Sequence, residues 1–305
     1  MPPATMDATL RKRLTSGTLM LAGLLGLLVL DHYVQAWTVS PAYPRGVKGV
    51  GILVLLGGLL PLAAFELARL FGARHSPPYR FIAMAAIFCL IGHGFLTQFD
   101  WFKPVAASSL AYIVVGTMIA SALRLGVVRQ VEGAINVMAA TVLATLYLGG
   151  QGWFLMALRV KEGRLVDGVP AVEGTTMMIV MILLTVKFTD IGAYFGGRAL
   201  GKHKLIPWLS PGKTWEGLVC GVATAGVVGM VCAPAVVQLS LVKGLIFGVL
   251  IGGVGQLGDL LESLMKRDAH VKDSGQIIPG FGGILDVIDS PLLAAPFAYL
   301  LFSLF

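Results

Sequence analysis

Apolar residues run along this chain in blocks of about 20, broken by short polar turns, from the first residues to the last. A block of that length suits one α-helix crossing the hydrocarbon core of a bilayer, which is roughly 30 Å thick. The blocks are continuous, whereas membrane β-barrel strands alternate apolar and polar positions. The pattern predicts nine helical spans, at about 17–38, 48–71, 79–97, 104–125, 133–157, 174–195, 215–238, 241–263 and 283–304. Turn formers separate them: SPAYPRG at 40–46, RHSPP at 74–78 and FDWFKP at 99–104. The expected fold is an all-α integral membrane protein, one polytopic domain over residues 1–305, with N-terminal helices over 17–157 and a second half over 174–305. The opening MPPATMDATLRKRL puts charge before an apolar run, as a signal peptide does. That run continues to about Trp37 without an Ala-x-Ala-like cleavage site, so it reads as a retained first helix.

Composition supports the membrane reading. Hydrophobic residues make up 56% and charged residues 13% of the chain, where a soluble domain carries about 25% charged residues. The net charge of +7 could point to nucleic acid, but the Lys and Arg residues lie in short loops between spans, where they set orientation. With the N-terminus in the cytoplasm, inner segments hold fifteen Lys and Arg and outer segments seven. The expected topology is therefore N-terminus in and C-terminus out, with no nucleic-acid partner. It puts 196–214 and 264–282 on the side where nucleotides are. Cys89, Cys220 and Cys232 all sit in apolar runs without disulfide or metal spacing, and read as buried small hydrophobes.

The first half offers little chemistry. Asp31 and His32 late in the first span, and Glu66 near Arg69 in the second, read as interfacial side chains or an i,i+3 pair. His93 reads as a satisfied polar residue rather than a ligand. The mixed-charge segment 158–173 carries no assignable role.

Three constellations occupy the second half. In the first, Lys187 and Asp190 lie three apart on one helix face and can neutralise each other. Gly192, Gly196 and Gly197 let helices or backbone approach closely, and Arg198 ends the span; a carboxylate, a Gly-rich turn and an Arg together suit an anionic ligand. The second is Ser210-Pro211-Gly-Lys213-Thr214-Trp-Glu216-Gly217. Ser210 and Pro211 read as the cap and first position of a helix, whose free N–H groups would favour phosphate, with Lys213 adding charge and Thr214 a hydroxyl. It is not a Walker A loop, because position 207 is Pro where that motif has Gly, and no strand precedes it. The third runs from Gly258-Asp259 through Glu262, Ser263, Lys266, Arg267, Lys272 and Asp273 to Pro279-Gly-Phe281-Gly-Gly283 and Asp286-Val287-Ile-Asp289. Asp259 with Ser263, and Glu262 with Lys266, share helix faces at i,i+4. Asp259 and Asp286 brought together would offer hard oxygen ligands to Mg²⁺. Lys266, Arg267 and Lys272 would offset polyphosphate charge.

Taken together these motifs resemble the phosphatidate cytidylyltransferases, or CDP-diacylglycerol synthases. That family's signature runs Ser-x-x-Lys-Arg, four residues, Lys-Asp-x-Gly, then Pro-Gly-His-Gly-Gly, then Asp-Arg-x-Asp. Here Ser263, Lys266-Arg267, Lys272-Asp273-Ser-Gly275, Pro279–Gly283 and Asp286–Asp289 fall on it. Asp190-x-Gly-Ala-Tyr-Phe-x-Gly-Arg198 and Ser210-Pro-x-Lys213-Thr214 also look like that family's, so the resemblance covers about 100 residues of the C-terminal half. The implied reaction is CTP + phosphatidate giving CDP-diacylglycerol + pyrophosphate, for phospholipid synthesis. It implies a multi-pass protein of a bacterial cytoplasmic membrane, with its site facing the cytoplasm and a homodimer as the assembly.

In that reading Asp259, Asp286, Lys266 and Asp273 are catalytic. Asp259, Asp286 and Asp289 hold Mg²⁺, with room for a second cation such as K⁺. Ser210, Lys213, Thr214, Ser263, Arg267, Lys272, Asp190 and Arg198 bind substrate. Positioning and charge stabilisation do most of the work of such a transfer, so no protein nucleophile is needed. Two positions depart from the signature: Phe281 stands where the family usually has His, and Val287 where it has Arg. A paralogue with another lipid-phosphate acceptor, or an inactive relative, is the alternative. A transporter built on the intramembrane Lys187 and Asp190 is the rival from another class, set against it that inverted-repeat transporters have related halves.

Overall fold

The structure is a computed structural model that describes residues 4–41, 43–72, 77–161, 165–166, 169–170 and 176–305. Residues 74–76 of the second predicted turn, and half of the 158–173 segment, lie outside the described residues, and with them Arg74 and Arg164 of the orientation count.

The apolar blocks form helices: α1 (Ala4–Trp37), α2 (Val50–Gly72), α3 (Arg80–Leu96), α4 (Lys103–Val128), α5 (Ala134–Val160), α6 (Thr176–Leu200), α7 (Trp215–Val237), α8 (Leu241–Asp268) and α9 (Leu285–Leu304). Eight are long and apolar enough to cross a membrane, and α3, with 17 residues, is apolar but shorter. Two small antiparallel pairs are the strands among the described residues: β1 (Leu165–Val166) with β2 (Val169–Pro170), and β3 (Lys204–Ile206) with β4 (Ser210–Thr214). The protein is thus an essentially all-α multi-pass membrane protein. The described chain falls into two compact units, Met1–Met156 with Ala269–Val287, and Ala157–Asp268 with Ile288–Phe305.

In the first unit, polar side chains expected at an interface are instead buried and bonded. Asp31 on α1 is fully buried, and its carboxylate accepts the Gly51 N–H at 3.1 Å. An anion there meets an otherwise open donor in the first turn of α2 and the positive end of its dipole. His93 is held on both sides: Trp153 Nε1–H donates to Nδ1 at 2.9 Å, and Nε2 lies 2.8 Å from the Ala106 carbonyl. Nδ1 therefore accepts and Nε2–H donates, which is the satisfied structural histidine expected. Cys89 is exposed on α3 and the other two cysteines are half-buried, contrary to the buried reading. Lipid is as apolar as a core, so a small apolar side chain gains nothing by facing inward.

In the second unit, glycines set the spacing of α6, α7 and α8. A Cβ on Gly196 of α6 would run into the side chain of Cys220 on α7. One on Gly248 of α8 would strike the Ala225 carbonyl oxygen. Small residues one turn apart let helix backbones approach closely in an apolar medium, where there is no hydrophobic force to drive them together. Gly192, Gly196 and Gly197, expected to let backbones approach closely, do so: a Cβ on Gly192 would meet the Thr224 side chain of α7 and one on Gly197 the Thr214 hydroxyl. In place of the turn read with them, α6 continues as far as Leu200.

The two ends of this unit differ in chemistry. At one end the β3–β4 hairpin links α6 to α7, and Arg267 Nε of α8 reaches the Leu209 carbonyl at 3.4 Å. At the other, Lys161 donates to the Phe302 carbonyl and Lys243 to the Phe305 carbonyl, each at 2.8 Å.

Candidate active site

The chemistry of the second unit gathers at its hairpin end. Ser210 and Pro211 do not start a helix; they begin β4, paired with β3 in the register Lys204↔Thr214 and Ile206↔Ser210. Pro211 has no N–H to give a ladder, which an edge strand tolerates and a central one does not. The helix starts one step later. Thr214, extended at φ −128° and ψ 155°, caps α7, and its hydroxyl accepts the Gly217 N–H at 3.1 Å. Glu216 in the first turn bonds the His203 N–H and, at 2.6 Å, its Nδ1, tying the hairpin to α7.

This hairpin delivers Lys213 into a cleft of about 550 Å³ between α6, α7 and α8. Lys213 Nζ lies 2.7 Å from Asp259 Oδ2 and donates to Gln256 Oε1 at 3.1 Å. Gln256 Nε2 in turn donates to Asp190 Oδ1 at 2.9 Å, and Lys187 stands 3.9 Å from Asp190 Oδ2. A single chain of contacts thus runs Lys187–Asp190–Gln256–Lys213–Asp259. Arg198 lines the same cleft, its Nη1 3.3 Å from the Tyr194 hydroxyl.

Asp259, the partner of Lys213, belongs to a carboxylate cluster. Oxygens of Asp259, Glu262 and Asp289 fall within 4.8 Å of one another, with Glu262 and Asp289 buried. Lys266 meets Glu262 at 3.0 Å, the expected i,i+4 pair, and Ser263 Oγ lies 3.5 Å from Asp259 Oδ1. Three clustered hard-oxygen donors fit a divalent cation. The second unit therefore collects Asp190, Arg198, Ser210, Lys213, Thr214, Asp259, Ser263, Lys266, Arg267 and Asp289 of the predicted set.

Lys272, Asp273 and Asp286 belong to the first unit. There Asp286 Oδ2 accepts the Gly283 N–H at 2.7 Å, the Ser274 N–H at 3.1 Å and the Ser274 hydroxyl at 3.0 Å. The Pro279–Gly283 loop that these bonds close needs positive φ at Gly280 (85°) and Gly282 (105°), where a Cβ would be strained. Lys272 and Asp273 are exposed beside it. Arg13 Nε donates to the Gly280 carbonyl at 3.1 Å, and the Phe281 ring lies next to Gly17, so α1 backs the loop.

Three contributors are absent from the predicted set. Glu66, expected to pair with Arg69 or to sit at an interface, is 1% exposed. It accepts the Ser274 hydroxyl at 3.2 Å and the N–H groups of Ile284 and Leu285 at 3.0 and 2.9 Å. Gln256 and Glu262 are the other two. The signal for both was local: each is a polar residue in an apolar span, three residues from Asp259.

The comparisons with known proteins now add the family. A family model described as "Cytidylyltransferase family" matches residues 12–305. This chain belongs to that family. It is 39% identical over 171 residues to a phosphatidate cytidylyltransferase of Brucella suis, covering 54% of this chain and 63% of the relative. It is 49% identical over 119 residues to a phosphatidate cytidylyltransferase of Bacillus subtilis, covering 38% and 44%. It is also 36% identical over 147 residues to an uncharacterized protein of Escherichia coli, YnbB, covering 48% and 49%. The chain spans about half the length of the curated relatives it matches. The motif resemblance is borne out at the level of the family.

Proposed function

We propose that this chain transfers a cytidylyl group from CTP to phosphatidate at the cytoplasmic face of a membrane, releasing pyrophosphate and forming CDP-diacylglycerol for phospholipid synthesis. The observation that carries the reading is a cleft lined by Arg198, Lys213 and Asp259, in which Lys213 meets Asp259 and Asp259 clusters with Glu262 and Asp289. In the transfer a phosphatidate oxygen bonds to the α-phosphorus of CTP as its bond to the bridging oxygen of pyrophosphate breaks. Negative charge on the phosphate oxygens is what the site must hold. Lys213 and Arg198 supply cations for them. Gln256 holds Lys213 in the cleft, and Glu262 accepts from Lys266. Asp259, Glu262 and Asp289 would hold Mg²⁺, which when bound supplies further neutralisation of phosphate charge. The roles of Lys272, Asp273 and Asp286 with the triphosphate and its cation rest on the signature resemblance.

Orientation follows from charge. Arg198, Lys202, Lys204, Lys213, Lys266 and Arg267 belong to the hairpin end of the second unit, and the far end carries Arg159, Lys161 and Lys243. The positive-inside rule then assigns the hairpin end to the cytoplasm, the CTP side.

The direct test is purified chain in nanodiscs containing phosphatidate, given α-labelled CTP. Mg²⁺-dependent label in lipid, with pyrophosphate released, is expected; CTP bound without any lipid labelling overturns the reading. A second acceptor is favoured by Phe281, 44% exposed where the family usually has His. Preferential labelling of a different lipid phosphate in the same assay would select that reading.

A further inference from the structure

We infer that the ends of α2, α3 and α4 in the first unit form a binding site for the phosphate group of an anionic glycerophospholipid. Arg69 in the last turn of α2, Arg80 at the start of α3 and Arg124 near the end of α4 line one cavity of about 420 Å³. Its lining among the described residues contains no carboxylate, and none of these arginines makes an ion pair there. Three guanidinium groups around one space repel one another unless an anion joins them, and their planar donor edges match phosphate oxygens. The first turn of α3, whose N–H groups have no helical partner, opens on the same cavity and favours the same charge.

The walls say which kind of phosphate. Phe65 lies one helical turn before Arg69 on α2, and the Arg80 guanidinium sits 5.6 Å from its ring centroid and 5.0 Å from that of Phe81. The two rings meet edge to face at 6.4 Å. Phe81 is 66% exposed. A cationic rim over an exposed aromatic floor, at the ends of membrane-length helices, reproduces the layering of a lipid, with headgroup phosphate above and glycerol and acyl carbons below. A free phosphate would use the rim and leave the floor without purpose.

This site does not depend on the proposed transfer, and its test needs no turnover. The full chain is placed in phosphatidylcholine nanodiscs doped with phosphatidate bearing a photoreactive acyl chain, irradiated, and the labelled peptides are mapped. Label is expected around Phe65–Arg69, Pro77–Ile82 and Arg124, removed by excess unlabelled phosphatidate, and lost in the Arg69→Gln/Arg124→Gln double variant. Both arginines are exposed, so that variant folds, which its melting temperature checks. Absence of label in the wild type, or label that survives loss of the two arginines, overturns the site. Equal labelling by photoreactive phosphatidylcholine, or equal displacement by inorganic phosphate, overturns the assignment to an anionic lipid.

Discussion

The Glu66 carboxylate on α2 accepts the N–H of Leu285 at 2.9 Å, joining residues 219 positions apart in the chain. The same carboxylate takes the Ile284 N–H and the Ser274 hydroxyl, and thereby fixes both ends of the loop that Asp286, in the first turn of α9, closes. Glu66→Gln would turn an amide donor toward one of these donors. It is expected to lower stability by about 2 kcal/mol and to reduce CTP incorporation, read by thermal unfolding in detergent alongside the labelling assay. A variant that melts with the wild type would show that the loop holds itself.

Gln256 touches Lys213 and Asp190 at once, so it acts through its neighbours. Gln256→Leu should raise KM for CTP by about tenfold with a smaller effect on kcat. Lys213→Ala, which removes a cation from the phosphates, should lower kcat by about 100-fold. Steady-state kinetics separate the two, and an unchanged KM in Gln256→Leu refutes the positioning role.

The carboxylate cluster predicts a hierarchy of metal affinity. Glu262→Gln and Asp289→Asn should each weaken Mg²⁺ binding by about 10–100-fold, measured with Mn²⁺ as a paramagnetic substitute. Asp286→Asn, measured in parallel, reads the metal role that the signature resemblance assigns to that residue. Full affinity in Glu262→Gln would remove Glu262 from the ligand set.

Gly248→Val tests the close approach of α7 and α8. The added side chain meets the Ala225 carbonyl rather than a movable group, and a loss of about 1–3 kcal/mol is expected. Melting temperatures of the detergent-solubilised protein, compared with a Gly253→Val control in open space, report it.

Local pattern carried much of this site. The i,i+4 pair of Glu262 and Lys266 and the i,i+3 pair of Lys187 and Asp190 were legible because helical geometry alone brings those positions together. The Ser210 start of the helix was misread because Ser-Pro suits an edge strand as well as a cap, and only pairing with β3 chooses between them. The close approach that the glycines after Asp190 permit was legible from their size, whereas the turn read with them is not formed: α7 lies against them and the helix continues.

By itself, the sequence determined where the helices run, that they suit a membrane, and which family the chain joins, since run length, hydropathy and motif spacing are properties of neighbouring residues. Tertiary structure alone decided that Glu66 closes a loop more than 200 residues away, that Gln256 links Lys213 to Asp190, and that Glu262 joins Asp259 and Asp289. The physical reason is that a buried polar group must find a partner wherever the packed helices bring one, and no spacing along the chain records that meeting.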